Sequence, residues 1–181
     1  MRVIVIGGTG TIGTAVVKLL STRHDVVTVG HTRGTFHVDL AAPDSITSLF
    51  KAVGTCDAVV STAGIAKFAS LDDLTYDDYF IGLKNKLMGQ ANLIRIGKPF
   101  VTNHGSFTLT SGVLSQEPMK GSCAISMANA GLEGFVRAAA IDLPRGQRVN
   151  VVSPPWVTEA LIARGMDPSI GIPADQVAQA Y

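Results

Sequence analysis

The sequence predicts a single α/β domain of three layers, a parallel sheet wound with helices on both faces, and three observations predict it. Short runs of apolar, β-branched residues alternate with longer stretches whose apolar residues recur at helical spacing. The runs are apolar almost throughout, which suits strands buried on both sides, and parallel strands need a crossover between them. The first run also passes directly into a glycine-rich turn and then into a helical pattern. At 181 residues the chain fits one domain of ordinary size, and no internal repeat or low-complexity linker marks a second.

Strands are expected at Val3–Ile6, Val26–Val29, Phe36–Val38, Ala58–Val60, Ser106–Thr110 and Val149–Val152. Helices are expected at Thr11–Leu20, Ser45–Val53, Asp77–Ile96 and Ile125–Leu143, with Pro43 and Asp44 as the start signal of the second. Only the six residues 30–35 separate the second strand from the third, too few for a full helix. Pro173 to Tyr181 reads as the opening of another amphipathic helix, where the sequence stops.

Composition excludes several classes of partner. Fifteen basic residues stand against fourteen acidic ones, a net charge of +1 with no basic cluster. That leaves no electrostatic footprint for nucleic acid or an anionic membrane, so a small molecule is the expected partner. Cys56 and Cys123 sit in no CxxC or Cys/His grouping, and are read as buried, small apolar residues in a reduced compartment, with no metal or disulfide expected. The N-terminal apolar run is too short for a signal peptide or a membrane span, and a cytoplasmic protein is expected.

Gly7-Gly8-Thr9-Gly10-Thr11-Ile12-Gly13 satisfies both GxxGxxG and GxGxxG, directly after a buried strand and directly before a helix. Early glycines permit a tight turn and close approach of backbone to a pyrophosphate. The amides that open the helix face the anion, and Gly13 lets helix and strand pack closely. In a chain of βα alternation this marks a Rossmann-type, doubly wound fold that binds a nicotinamide dinucleotide through Gly7, Gly10, Thr11, Ile12 and Gly13. At the end of the second strand, where an NAD-selective site places an acidic residue, stand His31 and Arg33. A guanidinium suits a 2′-phosphate, so NADP(H) is favoured over NAD(H); the alternative is that Arg33 is a solvated loop residue.

From Met1 to about Thr158 the chain resembles the short-chain dehydrogenase/reductase family. Val38-Asp39-Leu40 resembles the segment after the third strand, and the resemblance implies that Asp39 contacts adenine, with Leu40 beside it. Ser61-Thr62-Ala63-Gly64 resembles the Asn-Asn-Ala-Gly motif along the cofactor. Residues Gly105 to Ser111, including Thr110, resemble the fifth strand that leads to the catalytic serine. Gly131-Leu132-Glu133-Gly134-Phe135 resembles the long helix that follows, and Arg148 to Pro154 the sixth strand and its Pro-Gly turn, here Pro154-Pro155. Trp156, Val157 and Thr158 resemble the segment beside the nicotinamide. The family's last strand would lie beyond Tyr181, so either a tail follows this sequence or the chain is a shortened member.

The family's catalytic pattern is a tyrosine that protonates the carbonyl and a lysine four residues later, supported by a serine and an asparagine. Counting back from Leu132 places Ile125 at the tyrosine and Asn129 at the lysine, and no tyrosine lies between Tyr79 and Tyr181. Gly112 stands at the serine position with Ser111 one place earlier, and Lys86 stands at the asparagine. Candidate replacements are Lys86, His104 and Ser111, each with a plainer reading: an exposed helical lysine, a loop histidine, a serine bonded to backbone or cofactor. Two functions follow. One is an oxidoreductase acting on a small carbonyl or alcohol with a degenerate site; the other is a catalytically silent NADP(H)-binding regulatory or sensor module. A positioned acid is commonly worth about 10² to 10⁴ in rate, which an isoleucine cannot supply. The alanine- and glycine-rich stretch Ala124 to Ala140 permits close helix approach, and the resemblance implies a homodimer through it. After Thr158, Glu159 to Met166 carries no diagnostic pattern.

Overall fold

Val3 and Val5 are buried towards one layer of helices, and Ile4 and Ile6 towards the other, so the first strand already divides the molecule into three layers. The computed structural model describes residues 1–181. Six strands, β1 (Arg2–Ile6), β2 (Asp25–Gly30), β3 (Phe36–His37), β4 (Cys56–Ser61), β5 (Val101–Thr110) and β6 (Arg148–Val152), form one sheet in the order β3-β2-β1-β4-β5-β6. Every neighbouring pair is parallel. This is the expected α/β architecture, and the strands agree with the expected runs to within a residue or two, apart from the start of β5.

The larger core lies between the sheet and α2 (Pro43–Val53), α4 (Gly89–Gly97) and α5 (Cys123–Asp142), where Phe50, Leu93 and Leu132 meet Ile4, Ile6 and Phe107. On the opposite face α1 (Thr11–Leu20), the short α7 (Ala174–Val177) and the turn that follows it pack Val16, Val177 and Ala178 against Val3, Val5 and Val60. The expected helical opening after Pro173 is therefore present.

Three expectations need correction, and one segment that carried none gains an element. The stretch Asp77–Ile96 is not one regular helix. It starts as α3 (Tyr76–Gly82), capped by a reciprocal Thr75/Asp78 box, runs through a π-helical turn at Leu83–Met88 and resumes as α4. β5 begins at Val101, five residues earlier than expected. Between the pairs Cys56–Val101 and Ala58–Ser106, β4 advances two residues while β5 advances five, so a bulge absorbs the excess. The segment after Thr158, in which no element was legible, forms α6 (Thr158–Ala163) on its buried Leu161. Cys123 is exposed, because it opens α5 on the outward face; Cys56 is buried as expected.

Candidate functional site

The strand order reverses between β1 and β4, and the carboxyl ends of the strands open a crevice at this point. Two cavities occupy it, of about 660 and about 360 Å3, one on each side of the turn that runs from Gly7 to Gly13, and Gly64 lines both.

The turn is built by close approach. A Cβ on Gly13 would lie 1.9 Å from the Gly7 carbonyl oxygen, so only glycine lets α1 start this near β1. Gly10, the N-cap residue, has open space where its Cβ would point, apart from the Gly7 oxygen at 3.3 Å. The first-turn amides of α1 have no carbonyl behind them within the helix. This cradle fits a diphosphate, and a cavity at each end fits the two nucleosides, so the residues present suit a nicotinamide dinucleotide.

The larger cavity holds the residues expected around the adenosine half. Gly7, His31, Asp39, Leu40, Ala63 and Gly64 all line it. Asp39 uses Oδ1 to accept the Ala41 amide at 2.9 Å, while Ser45 accepts the Asp39 amide. Arg33 does not line the cavity; its Nη2 reaches back to the Thr9 carbonyl at 3.4 Å, from an exposed position beside the turn.

The smaller cavity gathers Thr11, Ile12, Thr62, Thr110, Pro154 and Val157, together with Lys86, Ser111, Ile125 and Asn129. Ser61 lines neither cavity. It lies beneath them, fully buried, its carbonyl accepting the Thr110 hydroxyl at 2.5 Å. Thr110 Oγ1, whose own proton goes to Ser61, in turn accepts from the hydroxyl of Tyr181 at 2.6 Å, a residue not among the expected site residues. Burial pushes that phenol up to about 12, with the Thr110 bond opposing, and its ring packs on the α1 side of the sheet, outside the cavity.

Lys86 is the main departure from the plainer expectation. It is not an exposed helical lysine: the residue is 9% exposed, and its Nζ donates to the Ser111 carbonyl at 3.0 Å. The π-helical turn carries it under the loop after β4, where a Cβ on Gly64 (φ +147°) would meet Lys86 Cγ at 2.8 Å. A π turn inside an α-helix is a feature frequent at functional sites. Burial alone pushes the Lys86 ammonium down to about 8.

Ser111, also buried, commits its hydroxyl to protein partners, 2.7 Å from Glu133 Oε1 and 3.2 Å from the Asn129 carbonyl. Glu133 Oε1 also accepts from Ser115 at 2.6 Å and from Ser153 at 3.3 Å. Burial would raise the Glu133 carboxyl, but the donors from Ser115, Ser111, Gln116 and Ser153 outweigh it and hold the group below its usual range. Asn129 donates Nδ2 to the Gly112 carbonyl at 3.2 Å, leaving its buried Oδ1 without a donor. Lys86 and Asn129 thus lean on the carbonyls of consecutive residues.

His104 is not part of the site. It sits inside β5 at the bulge with φ +61°, against Gly146, roughly 20 Å along the strand from Thr110. No group of three or more His, Cys, Asp and Glu side chains converges as a metal site, and no helix is long and apolar enough to cross a membrane.

Comparison with known proteins agrees with this geometry. A family model described as enoyl-(acyl carrier protein) reductase matches residues 10–177. An uncharacterized oxidoreductase of Schizosaccharomyces pombe is 30% identical over 129 residues, covering 66% of this chain and 49% of that protein, so the chain spans about half its length. Carbonyl reductase family member 4 of Danio rerio is 28% identical over 173 residues, 83% of this chain and 73% of that one. Among solved structures, the protein lin1944 from Listeria innocua is 36% identical with a TM-score of 0.95, covering 99% of this chain and 91% of that one. A small-chain dehydrogenase solved in complex with NADPH is 26% identical, TM-score 0.88, covering 100% and 89%.

Proposed function

Because the chain belongs to the short-chain dehydrogenase/reductase family, we propose that it binds NADP(H) along the crevice and reduces a small carbonyl compound, or oxidises the matching alcohol, with Lys86 as proton donor and acceptor. When bound, the nicotinamide supplies or takes up the hydride. The supporting observation is the buried ammonium of Lys86 in the smaller cavity, held on the Ser111 carbonyl. A carbonyl oxygen placed there accepts a proton from Nζ, and a pKa of about 8 leaves the group largely charged at neutral pH yet more acidic than a surface lysine. Ser111 acts through its backbone: its single hydroxyl proton is shared between Glu133 and the Asn129 carbonyl, so it fixes the carbonyl on which Lys86 rests. His31 in the wall of the larger cavity and the exposed Arg33 beside the glycine turn support NADP(H) over NAD(H), with no carboxylate at the end of β2 to repel a 2′-phosphate.

Stopped-flow oxidation of NADPH across a panel of aldehydes and ketones tests this reading. Turnover in the parent protein that falls at least about 10²-fold in Lys86→Met supports it; tight binding of NADPH by calorimetry with no turnover on any carbonyl overturns it. That second result is the one expected of a silent NADP(H)-binding module, a reading favoured by the apolar Ile125 in the cavity wall. Absence of binding to either dinucleotide, with Gly10→Asp indistinguishable from the parent, removes both.

We further propose a homodimer through α5. Beyond its first turn the outward face exposes Met127, Ala130, Gly131, Ala138 and Ile141, a small and apolar stripe at helical spacing that suits an isologous contact. A monomer in sedimentation at micromolar concentration overturns this.

A further inference from the structure

The smaller cavity carries two cations and no carboxylate. Its charged lining residues are Lys86 and Arg164, the latter at the end of α6, and neither is among the three ion pairs of the molecule. Three carboxylates on adjoining segments are hydrogen-bonded away from it. Glu133 collects the hydroxyls of Ser111, Ser115 and Ser153; Glu159 receives the Ala174 amide through both oxygens; Asp167 receives the Ser169 amide. Apolar side chains, among them Ile12, Leu114, Ile125 and Trp156, make up much of the rest of the wall. Two positive charges without an ion-pair partner, in a wall that holds no carboxylate, set a local potential that favours an anionic occupant.

We propose that the second cavity takes small carbonyl compounds that carry a carboxylate, a 2-oxo acid being the simplest, with the carboxylate on Arg164 and the carbonyl towards Lys86. This assignment rests on the NADP(H)-dependent reading of the same crevice and names its substrate class. A guanidinium offers a carboxylate two parallel N–H donors, so it fixes orientation as well as charge. The carbonyl carbon gains the hydride, its oxygen gains the proton of Lys86 Nζ, and one NADPH is oxidised for each 2-oxo acid reduced to the 2-hydroxy acid. Lys86 then regains its proton from water.

Thr11 and Ile12 line the same cavity, so the anion that Arg164 meets has a second source in the dinucleotide's diphosphate. The test separates the two without requiring turnover. Oxamate, a carboxylate that resembles a 2-oxo acid, and neutral oxamide are titrated into the NADPH-saturated protein, and quenching of the reduced nicotinamide fluorescence is read. Oxamate is expected to bind about tenfold more tightly than oxamide. The difference should vanish in Arg164→Gln and survive in Arg164→Lys; the residue is exposed, so both variants keep the fold. Oxamate binding no more tightly than oxamide to the parent overturns the proposal. So does an Arg164→Gln variant that keeps the oxamate preference but weakens NADPH by calorimetry, which assigns the cation to the diphosphate. A parent protein that binds no NADPH overturns the dinucleotide reading itself, and this assignment with it.

Discussion

Lys86 and Ser111 are joined by a single hydrogen bond, ammonium Nζ to carbonyl oxygen at 3.0 Å, and this is the only bond that the buried ammonium makes. The fold therefore holds a charge that it does not neutralise. A lysine whose pKa falls from 10.5 to about 8 on folding binds its proton more tightly in the unfolded chain, so stability is reduced below pH 8 and recovered as pH rises towards 10.5.

Lys86→Met should consequently raise stability while removing activity. At pH 7 the burden of the buried charge is about 3 kcal/mol, offset by about 1 kcal/mol for the lost bond to Ser111, leaving a gain of roughly 2 kcal/mol. Urea denaturation of parent and variant at pH 7 and pH 10 checks this. The gain should shrink at the higher pH, and a variant less stable than the parent at pH 7 contradicts the assignment of an uncompensated ammonium.

Glu133 gathers three serine hydroxyls, Ser111 and Ser153 from just beyond the ends of β5 and β6 and Ser115 from the short turn that follows β5. Glu133→Ala should cost about 1–3 kcal/mol, because those hydroxyls lose a shared charged acceptor; Glu133→Gln, which keeps one acceptor oxygen, should cost less. Because folding lowers this carboxyl's pKa, its stabilisation is present above the unfolded value and lost as pH falls through the folded one. Thermal melts of parent and Glu133→Gln should thus converge as the medium is acidified, and parallel curves across that range count against the network.

Arg33 lies exposed beside the glycine turn, Nη2 facing the Thr9 carbonyl. Replacing it with alanine should weaken NADPH binding about tenfold and leave NADH within about twofold, since only the former carries the 2′-phosphate. Titration calorimetry with both dinucleotides measures the ratio; equal losses would assign Arg33 to the loop and not to the ligand.

The two cysteines should differ in reactivity. Burial, aided by the Asp57 charge and opposed by Arg2, pushes the Cys56 thiol up to about 12, whereas Cys123 stands exposed at the start of α5. An aromatic disulfide reagent should titrate one thiol per chain in the native protein at pH 8 and two in denaturant. Two in the native state would show that β4 opens readily.

The elements that sequence alone revealed are those whose determinants are local. The turn Gly7–Gly13, strand β1 and helix α1 announce themselves because glycine spacing and β-branched runs act over a few residues. Sequence placed Asp39, Thr62 and Val157 at the crevice through resemblance, and each now lines a cavity. The misses have long-range causes. Nothing near Lys86 in the sequence signals burial; the cause is Gly64, which lets its loop close over the lysine stem. The role of Tyr181 depends on Thr110, 71 residues away. Ser111 was a candidate donor until Glu133 showed where its proton goes. Helix α6 is only six residues long, too short for periodicity to register.

The bulge in β5 has a practical consequence. Three surplus residues are taken up below Ser106, where His104 turns back against Gly146, and above that point β5 keeps uninterrupted pairing with β4 and β6. Changes in length at Asn103 and His104 are thus insulated from the mouth of the crevice. A short tag or spectroscopic label spliced there would report on this protein from the far pole of the sheet without disturbing what the opposite pole holds.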